Sequence, residues 1–229
     1  MKLINSEKLS TAPVNKDFFP FFYVDNIFLD QIDSASIIKD FPDINNGGSF
    51  HVDATPSGES IRKLIEELES EEFKRILETK FDINLDEAKA VTTVRCFSRK
   101  KDGKIHTDSK TKILTVLLYL NLNCPKNKGN LRLLKGNNNL DEYIKEIPCT
   151  FGSLVSFKVT DECWHGFKPY EGKRLSIQVN YIYPEVQGIS LIYSSKLLFP
   201  FNNLRFPLFS GQFKFKYKRT VKIFVFESV

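Results

Sequence analysis

The segment Ile105–Leu120 (IHTDSKTKILTVLLYL) decides how the rest of the sequence is interpreted. Its second half, from Ile113, is almost entirely apolar and includes β-branched residues, which predicts a strand buried in a core. Its first part contains His106 and Asp108, and residues two positions apart in an extended chain point to the same side. The segment therefore predicts two potential metal ligands at one end of a core strand.

Short runs of β-branched and aromatic residues lie on both sides of this segment. Turn-forming triplets such as Lys101-Asp102-Gly103 separate them. The predicted strands are Ala90–Phe97, Lys112–Asn121, Asn130–Leu134, Ser153–Lys158 and Arg174–Tyr183. Several short strands at this spacing favour an all-β sandwich or barrel.

The first 88 residues have a different pattern, which predicts a helical preface to the strands. Within Ser57–Phe81, apolar residues recur at the spacing of one helix face, and Ser70 with two following glutamates predicts the start of a second helix. Asp33–Phe41 predicts a short helix that ends before Pro42. The aromatic segment Phe18–Val24 predicts a strand that packs on the core.

The overall composition is that of an ordinary globular protein. The 229 residues are 41% hydrophobic and 27% charged, and the formal net charge of +5 is too weak to indicate nucleic acid as a partner. No apolar run is long enough to predict a membrane span, and the polar start of the chain does not resemble a signal peptide. The four cysteines form no CxxC pair, so neither a zinc ribbon nor a disulfide framework is predicted. We expect a cytoplasmic protein.

The third metal ligand is predicted to be His165, 59 positions after His106. Two histidines and one carboxylate on one side of an ion leave three positions open, an arrangement used by Fe(II) oxygenases. His165 alone would more often be a core histidine beside Trp164. Its pairing with a histidine and a carboxylate at a strand end favours the ligand role.

The sequence contains a second histidine-x-aspartate motif, formed by His51 and Asp53. It lies in a connection rich in Asn and Gly, and no apolar β-run follows it. We therefore predict that this copy binds no iron.

Arg174 opens the predicted strand that follows His165 and is a candidate anion ligand. A guanidinium stays charged and matches the geometry of a carboxylate, so Arg174 is suited to bind the distal carboxylate of a diacid. Ser176, two positions later, shares its face and is expected to add a hydrogen bond. The alternative is a solvent-exposed arginine beside Lys173. We also expect Val94, Leu117 and Val179 to provide apolar walls that keep the site dry.

Together these residues resemble a known family. The histidine-x-aspartate motif precedes a strand that ends in Tyr119-Leu120-Asn121, a glycine-containing link leads into Leu131–Leu134 (LRLL), and His165 and Arg174-x-Ser176 follow. This order is similar to the prolyl 4-hydroxylase-like branch of the 2-oxoglutarate/Fe(II)-dependent oxygenases, from about residue 91 to 183. One departure is Gly129-Asn130 in place of the family's Gly-Gly, and we expect this turn to tolerate it because Asn adopts turn conformations readily.

The resemblance implies an α+β, mainly β fold, with a double-stranded β-helix (jelly-roll) core and N-terminal helices packed outside. It also implies that Tyr119 joins Arg174 on the C5 carboxylate of 2-oxoglutarate. The implied cofactor is Fe(II), with 2-oxoglutarate and O2 as co-substrates, and the implied activity is hydroxylation of an unactivated C–H with release of succinate and CO2.

The primary substrate is not encoded in a motif: a peptide, an amino acid or another small molecule all fit the resemblance. Basic residues in the segment Ser98–Lys104 would favour an anionic substrate, although a solvated loop is the simpler explanation. A second class of function stays open, a catalytically silent, cupin-like binding module for a small anionic ligand or glycan. Succinate release from 2-oxoglutarate distinguishes the two.

We expect a single domain with residues 1–88 as the preface, 89–184 as the core and 185–229 as a C-terminal extension. From Lys196 onward the extension contains eight Phe and seven Lys or Arg against one Glu, which suits an edge strand or a surface for an anionic partner. About thirty residues cannot easily bury a core of their own, so we expect packing on the main domain through Phe213, Phe215 and Tyr217.

Removal of the chain from Lys196 onward is therefore expected to give an insoluble protein or one with a lower melting temperature, because the surface that Phe213 and its neighbours cover would be left in water. Replacement of the outer lysines 214, 216 and 218 by Gln is the control and is expected to leave the melting temperature nearly unchanged. A shortened chain that is soluble and melts at the same temperature would contradict packing.

Overall fold

The computed structural model describes residues 2–124 and 128–184, and in the remainder a short antiparallel pairing of Ile189–Ser190 with Phe224–Val225. The chain divides into two compact units, Met1–Pro184 and Glu185–Val229. The expected packing of Phe213, Phe215 and Tyr217 lies outside the described residues and stays a prediction.

The first unit contains four α-helices and nine strands among its described residues. The helices are α1 Ser6–Thr11, α2 Ser34–Lys39, α3 Glu59–Leu68 and α4 Glu71–Phe81, and a 3-10 turn covers Val52–Ala54. The strands are β1 Phe21–Val24, β2 Phe50–His51, β3 Lys89–Ser98, β4 Lys112–Tyr119, β5 Leu131–Leu134, β6 Tyr143–Ile147, β7 Leu154–Lys158, β8 His165–Gly166 and β9 Gly172–Ile182.

The strands form two antiparallel sheets. The major sheet has the order β1-β7-β4-β9-β3-β2 and the minor sheet the order β6-β5-β8. Residues of both, such as Tyr119 on β4 and Leu133 on β5, meet in one buried cluster, so the sheets enclose a common interior. The predicted jelly-roll core is confirmed.

The helices cover the other side of the major sheet. Leu64 on α3 and Leu77 on α4 belong to the same buried cluster as Val94, Leu118 and Val179 on the central strands. We call this the outer face. The opposite side, which carries Tyr119, Arg174 and Ser176, is the inner face.

The predicted helix starts are present and have clear causes. The Ser70 side chain accepts a hydrogen bond from the backbone N–H of Phe73 at 3.2 Å, and Asp33 caps α2 in the same way. Such caps satisfy amide groups that have no partner within the helix. Among the described residues, no helix is long and apolar enough to cross a membrane.

Four helices and strands were missing from the sequence prediction: α1, β6 and the two-residue strands β2 and β8. Strand β6 lies in what the sequence indicates as a loop, and it is an edge strand whose residues Tyr143 and Lys145 are exposed, so no apolar pattern marks it. Helix α1 is only six residues long, and Leu9 is its one buried residue.

The valines predicted to line the site lie elsewhere. Val94 and Val179 contact the helices on the outer face, and of the three predicted wall residues only Leu117 belongs to the interior cluster. The prediction was wrong because both faces of these strands are buried.

Candidate metal and co-substrate site

The three predicted metal ligands meet at one end of the jelly roll. His106 and His165 form a backbone bridge, in which each N–H donates to the other's carbonyl at 3.0 and 2.9 Å. Asp108 follows two residues after His106 and reaches the same point. One potential ligand atom from each of the three residues lies within 4.8 Å of the others.

Hydrogen bonds orient both imidazoles for ligation. Nδ1 of His106 lies 2.7 Å from the carbonyl oxygen of Lys104, and Nδ1 of His165 lies 2.8 Å from that of Cys163. A carbonyl can only accept, so Nδ1 carries the proton in each ring and Nε2 presents a lone pair. Such carbonyl partners fix the tautomer of metal-binding histidines. Burial lowers the pKa of His165 to about 4, so this ring is neutral near pH 7.

Asp108 is held as a carboxylate by its neighbours. Burial by itself would raise its pKa, but the charge of Lys112 and a hydrogen bond from Thr115 lower it to about 2. Lys112 donates to Oδ1 at 2.9 Å and Thr115 donates to Oδ2 at 2.5 Å. These contacts orient the carboxylate beside the two imidazoles.

This donor set fits Fe(II). Two neutral imidazoles and one carboxylate are ligands that suit Fe(II), and the described residues around them add no thiolate to the set. His106 is exposed whereas His165 is buried, so the site is open on the His106 side. The residues can therefore hold a divalent ion that stays accessible to other ligands.

The second histidine-x-aspartate motif contains no such cluster. His51 and Asp53 contact each other at 3.3 Å on the surface. Among the described residues, the group of His106, Asp108 and His165 is the one set of three potential ligands that lie close together.

Arg174 is buried on the inner face, with 5% of its surface exposed. Its Nε donates to the carbonyl of Gly129 at 2.8 Å, its Nη2 donates to the hydroxyl of Tyr119 at 2.9 Å, and its guanidinium lies 4.1 Å from the centre of the Phe167 ring. A guanidinium has five N–H donors, so these two bonds leave donors for a ligand. The alternative of an exposed arginine does not fit this position.

Ser176 lies between Tyr119 and Arg95 in the strand register, on the same face as Arg174. Its Oγ is buried and has no hydrogen-bond partner among the described residues. A buried hydroxyl without a partner costs free energy, so the arrangement suits a polar ligand. Arg174, Tyr119 and Ser176 can together bind one carboxylate.

Gly103 controls the position of the ring that stacks on Arg174. It has a positive φ of 82°, and a Cβ there would lie 2.6 Å from the Phe167 ring. Gly103→Ala is expected to lower the free energy of unfolding by about 1–3 kcal/mol through backbone strain and to weaken 2-oxoglutarate binding through displacement of Phe167. Thermal unfolding and calorimetry would measure the two effects.

Gly136→Ala is the matched control, because a Cβ at Gly136 would meet no atom within 4 Å. Equal behaviour of the two variants would contradict a role for Gly103 in supporting Phe167.

Several residues around the site were not predicted from the sequence. Lys112 and Arg95 are basic residues in strand segments, and their spacing gives no signal that they face the site.

The sequence analysis also predicted no disulfide framework, but Cys124 and Cys149 form a disulfide. They are 25 positions apart, and their Cα atoms lie 6.2 Å from each other. The bridge between Asn121 and Thr150 brings these two segments together.

The fold is a jelly roll, and His106, Asp108 and His165 form a candidate two-histidine, one-carboxylate metal site at one end of it. Residues 92–182 match the family model of the 2OG-Fe(II) oxygenase superfamily. The resemblance noted in the sequence is thereby confirmed. Fe(II), 2-oxoglutarate and O2, predicted from the sequence, are the cofactor and co-substrates of the superfamily.

Solved structures with a similar fold are prolyl hydroxylases. A prolyl 4-hydroxylase from Phytophthora capsici is 15% identical, with a TM-score of 0.53 over 81% of this chain and 68% of that one. A Trichoplax adhaerens prolyl hydroxylase, in complex with a hypoxia inducible factor peptide fragment, is 18% identical, with a TM-score of 0.49 and coverage of 77% and 86%. The Phytophthora structure supports the fold. No curated protein matches the chain significantly.

Proposed function

We propose that this protein is a non-haem Fe(II), 2-oxoglutarate-dependent dioxygenase that hydroxylates an unactivated C–H of a peptidyl, amino-acid or other small-molecule substrate. The observation that carries the proposal is that a candidate metal site and a candidate carboxylate-binding site lie in the same interior of the jelly roll. His106, Asp108 and His165 converge at one end of the jelly roll, and Arg174 lies buried with Tyr119 on the inner face.

In this proposal Fe(II), when bound, would supply the oxidative chemistry that consumes O2 and 2-oxoglutarate and releases succinate and CO2. His106, Asp108 and His165 hold the ion and leave other positions free. Arg174 binds the distal carboxylate of the diacid, and Tyr119 and Ser176 add hydrogen bonds.

The described residues around this site keep water away from part of it. Phe157 lies 5.0 Å from the His165 ring between centroids and is fully buried, and Leu117 belongs to the same interior cluster. A low-dielectric surrounding strengthens the contact between Arg174 and a bound carboxylate. The proposed role of the protein is thus to position the metal and the diacid and to restrict solvent.

The test is succinate release from 2-oxoglutarate in the presence of Fe(II) and O2. The wild-type protein is expected to release succinate, and an anaerobic sample and Asp108→Ala are expected not to. Labelled 2-oxoglutarate should be used and the product identified by mass, so that a small amount of succinate is detected without a primary substrate. Succinate release equal to that of Asp108→Ala would overturn the proposal and favour a binding module.

A further inference from the structure

Arg95 faces the site although the mechanism above does not use it. Its neighbours Val94 and Cys96 belong to the outer-face cluster, so alternation places Arg95 on the inner face. It pairs in register with Ser176, which pairs on its other side with Tyr119. The row Tyr119, Ser176 and Arg95 therefore crosses three adjacent strands beside Arg174.

Arg95 has no anionic partner within the described part of the chain. No carboxylate there lies within ion-pair distance of it, and its side chain donates no hydrogen bond to a described residue. The nearby Asp102 is bound to Arg99, whose Nε and Nη2 lie 3.2 and 3.0 Å from its oxygens. Burial, and then the charge of Arg174, lower the pKa of Arg95. A partly buried cation beside a second cation is costly unless an anion binds it.

The charged groups around the site leave an excess of positive charge that 2-oxoglutarate does not neutralise. Arg95, Arg174 and Lys112 carry three positive charges, and Asp108 carries one negative charge, because Asp102 is balanced by Arg99. Fe(II) adds two positive charges and 2-oxoglutarate two negative ones. The loaded site therefore retains two positive charges that attract a further anion.

We propose that Arg95 binds a carboxylate in this site and that the carboxylate belongs to the primary substrate. This inference rests on the proposed function and names its substrate class: a small anionic molecule, such as a free amino acid or another organic acid. An internal segment of a peptide offers a carboxylate only where it carries Asp or Glu, whereas every amino acid or organic acid carries one. The other source of a carboxylate is 2-oxoglutarate itself, at its C5 end beside Ser176 or at its C1 end, and the first measurement separates the co-substrate from the primary substrate.

The first measurement is the dissociation constant of 2-oxoglutarate in protein loaded with Mn(II), which does not turn over. Arg95→Gln is compared with wild type and with Lys173→Gln, a control that removes an exposed positive charge from the neighbouring strand β9. We expect Arg95→Gln to change the dissociation constant of 2-oxoglutarate by less than about five-fold, because only a long-range electrostatic interaction with the co-substrate is lost. A loss of about 100-fold or more would assign Arg95 to 2-oxoglutarate and overturn the substrate role.

The second measurement uses acetate as the carboxylate probe and acetamide as its neutral counterpart. Both are titrated into the protein saturated with Mn(II) and 2-oxoglutarate, at constant ionic strength, while the melting temperature is followed. Acetate is expected to raise the melting temperature of wild type and of Lys173→Gln in a saturable way, and acetamide is not. Arg95→Gln is expected to need at least about ten-fold more acetate for the same shift, because the site loses its charged donor.

Equal responses of wild type and Arg95→Gln to acetate, or none in either, would overturn the inference. Failure of the proposed function has a different signature, since wild type would then bind neither Mn(II) nor 2-oxoglutarate in the first measurement. The acetate titration can also be run on the metal-free protein, where Arg95 is present and the proposed function is not needed.

Discussion

Asp108→Ala is expected to abolish stoichiometric Fe(II) binding and leave a folded protein. The change removes the one carboxylate of the cluster and leaves His106 and His165, and two neutral imidazoles hold a divalent ion much more weakly than a set that includes a negative charge. Elemental analysis after gel filtration measures the retained metal. One-to-one iron in this variant would contradict the assignment.

A second variant at position 108 is needed because of Lys112. In Asp108→Ala the buried Lys112 ammonium loses the carboxylate that lies 2.9 Å from it, and this loss by itself lowers stability. Asp108→Asn keeps an acceptor for Thr115 and nearly the same shape, and it removes the charge. We expect it also to lose stoichiometric iron, with a melting temperature closer to that of wild type. Metal loss in both variants then cannot be attributed to unfolding.

The surface motif provides the matched control for these variants. His51→Ala and Asp53→Ala are expected to leave the iron content unchanged, because these residues contact each other on the surface and have no third ligand among the described residues. Iron loss in His51→Ala without unfolding would show that the other motif binds the metal.

Arg174→Gln is expected to weaken 2-oxoglutarate binding by roughly 2–5 kcal/mol, or about 30-fold to several thousand-fold. The reason is that a buried carboxylate would lose its charged partner while Tyr119 and Ser176 supply only neutral hydrogen bonds. Calorimetry with the Mn(II)-loaded protein measures the dissociation constant directly. The side chain of Gln is shorter and uncharged, but it preserves polarity beside Gly129.

Two controls bracket this effect. Tyr119→Phe is expected to cost only about 0.5–1.5 kcal/mol, since it removes one neutral hydrogen bond. Lys173→Gln is expected to change nothing measurable, because the Lys173 side chain is 73% exposed. An unchanged dissociation constant in Arg174→Gln, or a large change in Lys173→Gln, would mean that a different base binds the diacid.

The sequence alone determined the class of fold and the main residues of the candidate site. Runs of apolar, β-branched and aromatic residues marked strands β3, β4, β5, β7 and β9, and the spacing of His106 and Asp108 placed two side chains on one side of the chain. The Ser70 cap marked the start of α4 to the residue. These features are local, so the physical rules that produce them act within a few residues and can be read along the chain.

Only the tertiary structure decided which strand face is the inner one. Val94 and Arg95 are adjacent in β3, one packed against helices and the other turned toward the site. Alternation along the strand establishes that the two side chains point to opposite faces. Because both faces of β3 are buried, the hydrophobicity pattern does not show which of the two residues faces the interior of the jelly roll. Likewise the ion pair of Lys112 with Asp108 and the disulfide of Cys124 with Cys149 depend on how strands and loops are brought together. Contacts of this kind arise from packing between segments distant in sequence, and no local pattern specifies them.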